Sequence, residues 1–512
     1  MLGLIWWLFF WTAIGLCVGS FLNVVIYRIP RNQSLRDPVW SACPQCGTRI
    51  AWYDNLPVVS FVRLGGKCRH CRGTISAGYP LVELLTALVV IVLFDAFFVT
   101  HTRQGLFNQP FLTWALSRDW PIFLAHVVLF ACLLAMSAID LKEYWLDIRF
   151  TTFATWVGFA LHAIWTPRHS ADWLRPGEAT AMGSLGAMLG LAGLWFWLRY
   201  RPRHHAEWSG EPIPDEAAEA MGDQADDAVG GEGETQCQAM SSTDEPQEVL
   251  PEPVATGQAG GWAGAGLVGV VFAVVLASLV LERADLPVWL PGPWRSLVLG
   301  GLVFVLVLWE SRLPKGADQE IIEAIEAERF SARRMVLGEL GLLVPAIVLG
   351  GIGAWLMMKD GAMAERLEAV LHWRAGQEWK PVYGLATAAS GYVIGGGIGW
   401  AVRIVFTLAF GKEAFGMGDI HMMAAAGCVA GWPVVLLGFF VTVMTALAAW
   451  LISLPFKRTR AIPLVPWLAF GYLIVVVHYE SLLRFGPIRN ALEVIRVLIL
   501  NNSQAGSIGM AL

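Results

Sequence analysis

The sequence predicts an all-α polytopic membrane protein with about twelve transmembrane helices and a small polar domain after the first helix. Three observations predict this fold class. Hydrophobic residues make up 56% of the 512 residues, charged residues only 15%, and the mean hydropathy is +0.55. Apolar runs of about 20 residues, long enough to cross a hydrocarbon core of about 30 Å as a helix, recur along the chain. Two close cysteine pairs lie between the first two runs.

The first helix is predicted over residues 3–27. No basic segment precedes its apolar run, so we interpret it as a retained membrane helix rather than a cleaved signal. Arg28, Arg31 and Arg36 mark its far end as cytoplasmic under the positive-inside rule. After a polar segment, helices two to five are predicted at about 79–99, 121–139, 150–166 and 179–198.

Residues 206–253 predict a disordered linker. This stretch has fourteen acidic residues and no Lys or Arg, a composition that buries too little apolar surface to fold. Two apolar runs at about 262–281 and 295–310 then predict a hairpin, and a helix follows at about 336–358. We expect Glu339, early in that helix, to reach the membrane interface rather than to line a substrate path.

The C-terminal part is predicted to hold apolar helices at about 384–410, 420–431, 433–455 and 463–478. Every basic loop then falls on one face, which the positive-inside rule assigns to the cytoplasm. The chain divides into 1–30, the first helix; 31–76, the cysteine domain; 77–200, helices two to five; 201–260, the linker; 261–385, an inserted region of unknown role; 386–480, a second helical core; and 481–512, a C-terminal tail.

Cys43, Cys46, Cys68 and Cys71 form two C-x2-C pairs separated by 21 residues. This pattern supplies four thiolates for a tetrahedral zinc site. The alternatives are two disulfides or spare reduced thiols. Basic residues around the segment place it in the reducing cytosol, which disfavours disulfides. Because no further ligand position is open, we expect a structural Zn²⁺ rather than a catalytic one.

Two carboxylates stand at the predicted cytoplasmic ends of helices: Asp140 and, within GMGD, Asp419. Acids at such positions are energetically expensive and usually functional. Two that meet can share a proton, so that one activates a water and the other protonates a peptide carbonyl. Gly416 and Gly418 would permit a sharp turn and a close helix approach. The alternative is that each Asp only caps a helix; Asp147 is a rival first acid that we expect at the interface.

Six segments carry a resemblance to a known family. They are GSFLNVVIYRIP (19–30), CPQC and CRHC (43–46 and 68–71), ISAGYPLVELLTA (75–87), AIDLK (138–142), GKEAFGMGDIHMMAAAG (411–427) and IPLVPWLAF (462–470). In this order and topology they resemble the type IV prepilin peptidases, a family similar to presenilin and signal peptide peptidase in using a GxGD aspartate within a membrane. The resemblance covers about residues 1–200 and 388–480.

The resemblance implies an intramembrane aspartic endopeptidase of the bacterial cytoplasmic (inner) membrane. It would cleave the leader of prepilins or pseudopilins after a glycine at the cytoplasmic face and then N-methylate the new terminus with S-adenosylmethionine. By motif position Asp140 and Asp419 are the catalytic pair, and the four cysteines are the zinc element of the methylating part. Asn23, Glu83 and Lys142 are further possible substrate or site residues. The expected partners are these substrates and the lipid bilayer, with no nucleic acid.

The chain departs from the family pattern in several places. Asp147 and Ile148 stand where the family usually has a proline and then an acid or amide, and Gly78 stands where it often has arginine. His421 replaces a usual lysine, and we expect it to pack or to lie at the interface. An insertion of about 190 residues separates the two halves of the resemblance.

Two other classes of function remain. A transporter would also carry polar groups in its helices, but it would not need a cytosolic four-cysteine element. A catalytically inactive membrane assembly factor, built on the peptidase scaffold and altered by the insertion, is the alternative that the sequence leaves open.

Overall fold

The computed structural model describes residues 2–37, 39–100, 112–143, 146–165, 178–200, 332–359, 381–411, 415–453 and 464–500, with the single residues 362, 366 and 413. Within these ranges the chain is mostly helical and forms no β-strand, apart from two isolated bridges in the cysteine domain, which is largely irregular. Residues 1–192 and 256–512 belong to one compact unit, which contains all the candidate site residues.

Six helices precede the linker: α1 (Leu2–Arg28), α2 (Val59–Arg63), α3 (Gly78–Phe94), α4 (Leu112–Glu143), α5 (Ile148–Ile164) and α6 (Glu178–Tyr200). Seven more are described after it: α7 (Ala332–Lys359), α8 (Pro381–Phe410), α9 (Met417–Ala430), α10 (Trp432–Ser453), α11 (Val465–Val477), α12 (Tyr479–Arg484) and α13 (Gly486–Leu500).

The described helices confirm the predicted all-α membrane fold. Six of them are long and apolar enough to span a membrane, namely α1, α3 with its terminal π turn, α4, α6, α7 and α8; α10 and α11 are shorter apolar helices. The linker predicted at 206–253 and the hairpin predicted between 262 and 310 lie outside the described residues. Some of the twelve predicted membrane crossings therefore also lie outside the described residues.

Some helix boundaries differ from the predictions. α4 begins at Leu112, and Pro121, which we expected at its start, lies inside the helix; apolar membrane helices tolerate an internal proline. α9 begins at Met417, three residues earlier than predicted, which brings Asp419 into its first turn. In the expected C-terminal tail, α12 and α13 are helical, and Leu492 of α13 is buried against the start of α10.

Glycines let neighbouring helices approach backbone to backbone. A Cβ added to Gly15 of α1 would lie 2.5 Å from the Ala87 Cα of α3. A Cβ on Gly391 of α8 would lie 2.0 Å from the carbonyl oxygen of Gly427 in α9. Both distances are shorter than any real Cβ contact, so only glycine fits this packing. Close packing of α8 on α9 therefore depends on glycine at this position.

Glycines of α6 also allow close packing, in this case on α7, the helix of the inserted region. A Cβ on Gly186 would lie 2.3 Å from the Leu349 carbonyl oxygen, and one on Gly190 would lie 2.5 Å from that of Pro345. Residue numbers rise along α6 as they fall along α7, so the two helices are antiparallel. The inserted region therefore contributes a helix that packs tightly on α6.

α9 is the most enclosed of the long helices at the site. It packs against α4, α5, α8 and α10, and its residues from Asp419 to Ala430 are buried, apart from the half-buried His421. Small side chains at 424–427 make this close packing possible. The fold thus holds the first turn of α9 among the ends of several other helices.

Candidate functional site

Asp140 lies in the last turn of α4, which ends at Glu143. Met136, about one turn earlier, and the adjacent Ile139 are buried in the main core. Because Asp140 continues this core-facing surface, its side chain is also buried and remains only 7% exposed. The sequence thus places a carboxylate where the apolar helix ends rather than on its outer face.

Asp419 is the third residue of α9, and Gly416 is the N-cap of that helix. Its side chain is 7% exposed, and the backbone N–H of Gly416 donates a hydrogen bond to its carboxylate. An acid at this position commonly reaches back to the N-cap amide, and the helix N-terminus favours negative charge. The other carboxylate oxygen, Oδ1, is buried and has no hydrogen-bond partner in the described part of the chain.

The structure brings the two predicted acids together. α4 packs against α9, and the carboxylate of Asp140 interacts electrostatically with that of Asp419. Two carboxylates that are both shielded from water repel each other strongly when both are ionised.

Gly418 allows the start of α9 to press on the α4–α5 connection. A Cβ at this position would lie 2.6 Å from Cδ1 and 2.9 Å from Cβ of Leu146. Gly416 is also crowded, since a Cβ there would lie 3.2 Å from Oδ2 of Asp419. Both positions of GMGD therefore favour glycine for steric reasons. Gly418 leaves room for Leu146, and Gly416 leaves room for the Asp419 carboxylate.

Asp147 has a different role from Asp140. It is the N-cap of α5, and its Oδ1 accepts a hydrogen bond from the Arg149 backbone N–H at 2.8 Å. Its Oδ2 accepts from Nε of Arg149 at 2.5 Å and also pairs with Nη2 of that side chain. Both oxygens are thus engaged by one neighbour, which leaves Asp147 as a helix cap.

Asn23 and Glu83 connect elements of the N-terminal region. Nδ2 of Asn23 in α1 donates to the Tyr79 carbonyl oxygen of α3 at 3.0 Å. Oε2 of Glu83 in α3 accepts from the Val58 backbone N–H of the cysteine domain at 2.7 Å, and its carboxylate also accepts a hydrogen bond from Ser20. The side chain of Lys142 lies outside the described residues.

The sulfur atoms of the four paired cysteines converge. They all lie within 4.8 Å of one another, and the sulfurs of Cys43 and Cys71 are 4.0 Å apart. A tetrahedral zinc with Zn–S bonds of about 2.3 Å requires sulfur separations of about 3.8 Å, so a small contraction would suffice. No disulfide joins any of the four. The donor set therefore fits a Cys₄ metal site.

The two C-x2-C turns have the same local geometry. An isolated bridge closes each turn, Ala42 with Arg49 and Lys67 with Thr74. The residue after the second cysteine is left-handed in both, with φ of 67° at Gly47 and 59° at Arg72. Two matching turns thus present their sulfur atoms to a common centre from two sides.

Hydrogen bonds and burial shift the pKa values of two of the cysteines in opposite directions. The Thr48 hydroxyl and backbone N–H lower the pKa of Cys46 to about 6, whereas burial raises the pKa of Cys43 to about 11. Asp54 accepts two hydrogen bonds from Arg69, which lies within the second turn, at 2.6 and 2.7 Å. Arg69 accordingly lowers the pKa of Asp54. This charged pair fixes the second turn against the rest of the domain.

Comparison with known proteins finds similarity mainly to prepilin leader peptidases. The family described as "Bacterial Peptidase A24 N-terminal domain" matches residues 13–97, which comprise most of α1, the cysteine domain and α3 with its π turn. A relative in Myxococcus xanthus, named prepilin leader peptidase/N-methyltransferase, is 40% identical over 150 residues, covering 29% of this chain and 38% of that protein. The chain is similar to the type IV prepilin peptidases.

Other prepilin leader peptidase/N-methyltransferases give similar matches. The one from Vibrio cholerae is 38% identical over 116 residues, covering 20% of this chain and 46% of the relative. The one from Neisseria gonorrhoeae is 33% identical over 209 residues, covering 36% and 62%. This chain therefore spans less than two thirds of each of these relatives. No solved structure matches it.

The prepilin-peptidase resemblance did not point to two buried residues near the site. Tyr472 of α11 is fully buried and interacts electrostatically with Asp419, and its hydroxyl has no hydrogen-bond partner among the described residues. Arg403 of α8 is 1% exposed and binds Glu339. A tyrosine and an arginine inside apolar helices were visible signals in the sequence, since buried polar groups of this kind need partners.

Glu339 has a partner that the sequence did not indicate. We expected this residue to reach the membrane interface, and its carboxylate forms an ion pair with the buried Arg403 of α8. The partners lie 64 residues apart in the sequence. An isolated glutamate near a helix end gives no indication of so distant a cation.

Proposed function

We propose that this chain is an intramembrane aspartic endopeptidase that removes the leader of type IV prepilins or pseudopilins by cleaving after a glycine at the cytoplasmic membrane face. One observation carries the proposal: Asp140 and Asp419 are both buried, come from different helices and interact at one end of the helical core. The names of the similar proteins agree with this activity.

The chemistry follows from one proton shared by the pair. The ionised carboxyl group takes a proton from a water that attacks the scissile carbonyl carbon, while the protonated one donates its proton to the carbonyl oxygen. In the second step the carboxyl groups exchange roles, and a proton passes to the leaving nitrogen. Burial strengthens both interactions because little water competes with them.

The position of the pair suits a prepilin. The bond to be cleaved lies where a polar leader meets a hydrophobic helix, and Asp140 and Asp419 lie where apolar helices end or begin. A carboxylate at the end of an apolar helix can activate water at that depth. We therefore infer that the two acids are buried at the helix ends in order to activate water at the depth of the scissile bond.

The four cysteines would hold a structural Zn²⁺. Four thiolates fill a tetrahedral shell and leave no position for substrate. The metal would order the domain between α1 and α3, to which Glu83 binds through the Val58 backbone.

For the second activity, S-adenosylmethionine would supply a methyl group to the new N-terminus. This part of the proposal rests on the N-methyltransferase names of the relatives.

The test is co-expression with candidate prepilins and pseudopilins, followed by the N-terminal mass of the substrate. We expect leader loss with one added methyl group for the wild type, and an intact leader for Asp140→Asn and Asp419→Asn. Asp147→Asn is the matched control, because that carboxylate is already engaged by Arg149, and it should process normally. Leader removal by Asp419→Asn at the wild-type level would contradict the proposal. An intact leader in wild type with all candidates, despite normal zinc content, would favour the inactive assembly factor.

A further inference from the structure

Arg403 is a fully buried cation in a membrane-spanning helix. It lies in α8 about two turns before the helix ends at Phe410, within the apolar span Gly384–Phe410, and its side chain is 1% exposed. An unpaired guanidinium in such surroundings would be very unfavourable, so its partners determine what it does.

The guanidinium binds groups from two places. Nε and Nη2 donate to the two carboxylate oxygens of Glu339 in α7, each at 2.8 Å. Nη1 donates to Oε1 of Glu413 at 2.5 Å and to the carbonyl oxygen of Phe415. The forked pair with Glu339 fixes the plane of the guanidinium, and only arginine offers this geometry. α7 thereby determines where Nη1 points.

The Phe415 carbonyl belongs to the peptide group that binds Asp419. Its carbon is bonded to the nitrogen of Gly416, and the Gly416 N–H donates to the Asp419 carboxylate. The oxygen and the N–H of one planar peptide point in opposite directions, so holding the oxygen also aims the N–H. A hydrogen bond to the oxygen polarises the group and strengthens the N–H as a donor.

A second residue of α7 contacts the turn that follows α8. Gly411 has a φ of 69° and its N–H donates to the Thr407 carbonyl oxygen at 2.8 Å, which ends the helix. A Cβ there would lie 3.3 Å from Nη2 of Arg333, so this guanidinium lies beside the end of α8. A cation at a helix C-terminus is electrostatically favourable. The first turns of α7 therefore contact this connection at two points.

We propose that Glu339 and Arg403 are positioning residues of the site, through which the inserted helix α7 orients the Phe415–Gly416 peptide that binds Asp419. In this account the inserted region is part of the scaffold of the peptidase. The effect of α7 on catalysis rests on the proposed function, but its effect on the orientation of the Phe415–Gly416 peptide group does not.

The test uses the full-length protein in lipid nanodiscs. Hydrogen–deuterium exchange at amides 416–420 and the kinetics of leader cleavage are compared for wild type and Glu339→Gln, a change that keeps the side-chain shape. We expect exchange at these amides to rise about tenfold and kcat to fall about tenfold, as for loss of a charged hydrogen bond, with KM within about twofold. Amides of α3 should not change.

Two further variants separate positioning from simple stabilisation. Arg403→Lys keeps the charge but loses the paired hydrogen bonds to the two Glu339 oxygens. It should resemble Glu339→Gln in amide exchange and in kcat. Glu480→Gln is the matched control, because it removes the Glu480–Arg484 pair, in which Arg484 is exposed. It should leave both readouts at the wild-type level.

The outcomes distinguish this inference from the proposed function. Unchanged exchange at 416–420 in Glu339→Gln overturns the positioning role, even if the wild type cleaves prepilins. A lower thermal midpoint with unchanged local exchange and unchanged kcat also overturns it, because the pair would then only stabilise the fold. Raised exchange at 416–420 in Glu339→Gln supports the positioning role even if the wild type cleaves no prepilin. In that case only the proposed function fails.

Discussion

Asp147 and Asp419 show how neighbouring groups decide the role of an acid at a helix start. Asp147 is the N-cap of α5, and one arginine engages both of its oxygens. Asp419 lies three residues after its N-cap, binds only the Gly416 N–H among the described groups, and interacts with the Asp140 carboxylate. Asp147 is therefore held as a helix cap, whereas Asp419 keeps one buried oxygen that has no partner among the described groups.

At Asp147 we expect a small structural effect. Asp147→Asn keeps an N-cap side chain but loses the charge that pairs with Arg149, so the free energy of unfolding should fall by about 1 kcal/mol or less. Leader removal should stay within about twofold of the wild type. Thermal unfolding and a cleavage assay check this. A complete loss of cleavage in a folded Asp147→Asn protein would show that the first acid is wrongly assigned.

Gly418 gives a steric prediction. In Gly418→Ala the new methyl group would overlap Leu146, so the start of α9 and the α4–α5 connection must separate. A shift of this kind near the two carboxyl groups should lower kcat about tenfold or more.

Gly397→Ala is the control for this change, since a Cβ there meets nothing within 4 Å. It should leave kcat unchanged. Equal activity of the two alanine variants would contradict the tight contact at Gly418.

The sequence revealed those site residues that have a local pattern. The cysteines were recognisable by their spacing, Asp140 by its place at the end of an apolar run and Asp419 by its place at the start of one. The pairing of Arg403 with Glu339 was not predictable, because the two residues lie 64 positions apart and nothing local links them. Tyr472 was missed for a related reason, since α11 must fold back on α9 before its ring comes near Asp419.

Among the elements, the cysteine domain is held by α3 as well as by the zinc that we propose for it. Val58 is β-branched and has a φ of 60°, a strained conformation for such a residue. The hydrogen bond from its N–H to Glu83 helps to hold it. The domain is therefore tied to the membrane helices through a backbone position that is itself unfavourable.

Glu83 gives a prediction at this scale. Glu83→Ala removes the acceptor for Val58 and Ser20, so the free energy of unfolding should fall by about 1–3 kcal/mol. Proteolysis between residues 39 and 76 should become faster, while zinc stays bound because no ligand has changed. Limited proteolysis and zinc analysis measure both effects. Loss of zinc together with an unaltered cleavage pattern would contradict this view of the domain.

Helix types were predicted more reliably than helix boundaries. Length and hydropathy predicted the long apolar helices, because membrane spans have a composition of their own. The start of α9 was placed three residues late, since GMGD contains two glycines, which favour turns in isolation. Packing against Leu146 and the N–H of Gly416 makes a helix start favourable there.

For the whole molecule, the alternation of helices must bring both acids to one face. α4 ends near Asp140 and α9 begins near Asp419, and the two helices are in contact. An insertion between them is compatible with this only if it crosses the membrane an even number of times. The antiparallel packing of α6 on α7 and the contact of Arg333 with the turn after α8 agree with that requirement.

Topology reporters test this arrangement. Fusions of green fluorescent protein and of alkaline phosphatase after residues 55, 230 and 458 should be fluorescent and lack phosphatase activity, because these sites are predicted to face the cytoplasm. Fusions after residue 105 should give the opposite result. Opposite sides for 55 and 458 would be incompatible with a shared site of Asp140 and Asp419.

The most direct test of the central claim is the rate of leader removal by purified protein for wild type, Asp140→Asn, Asp419→Asn and the double variant, with zinc content as the check of folding. If the carboxyl groups act as one unit, each single change lowers the rate by about a hundredfold or more, and the double variant is no slower than the slower single. A wild-type rate in either single variant, or losses that multiply in the double, would contradict a shared catalytic pair.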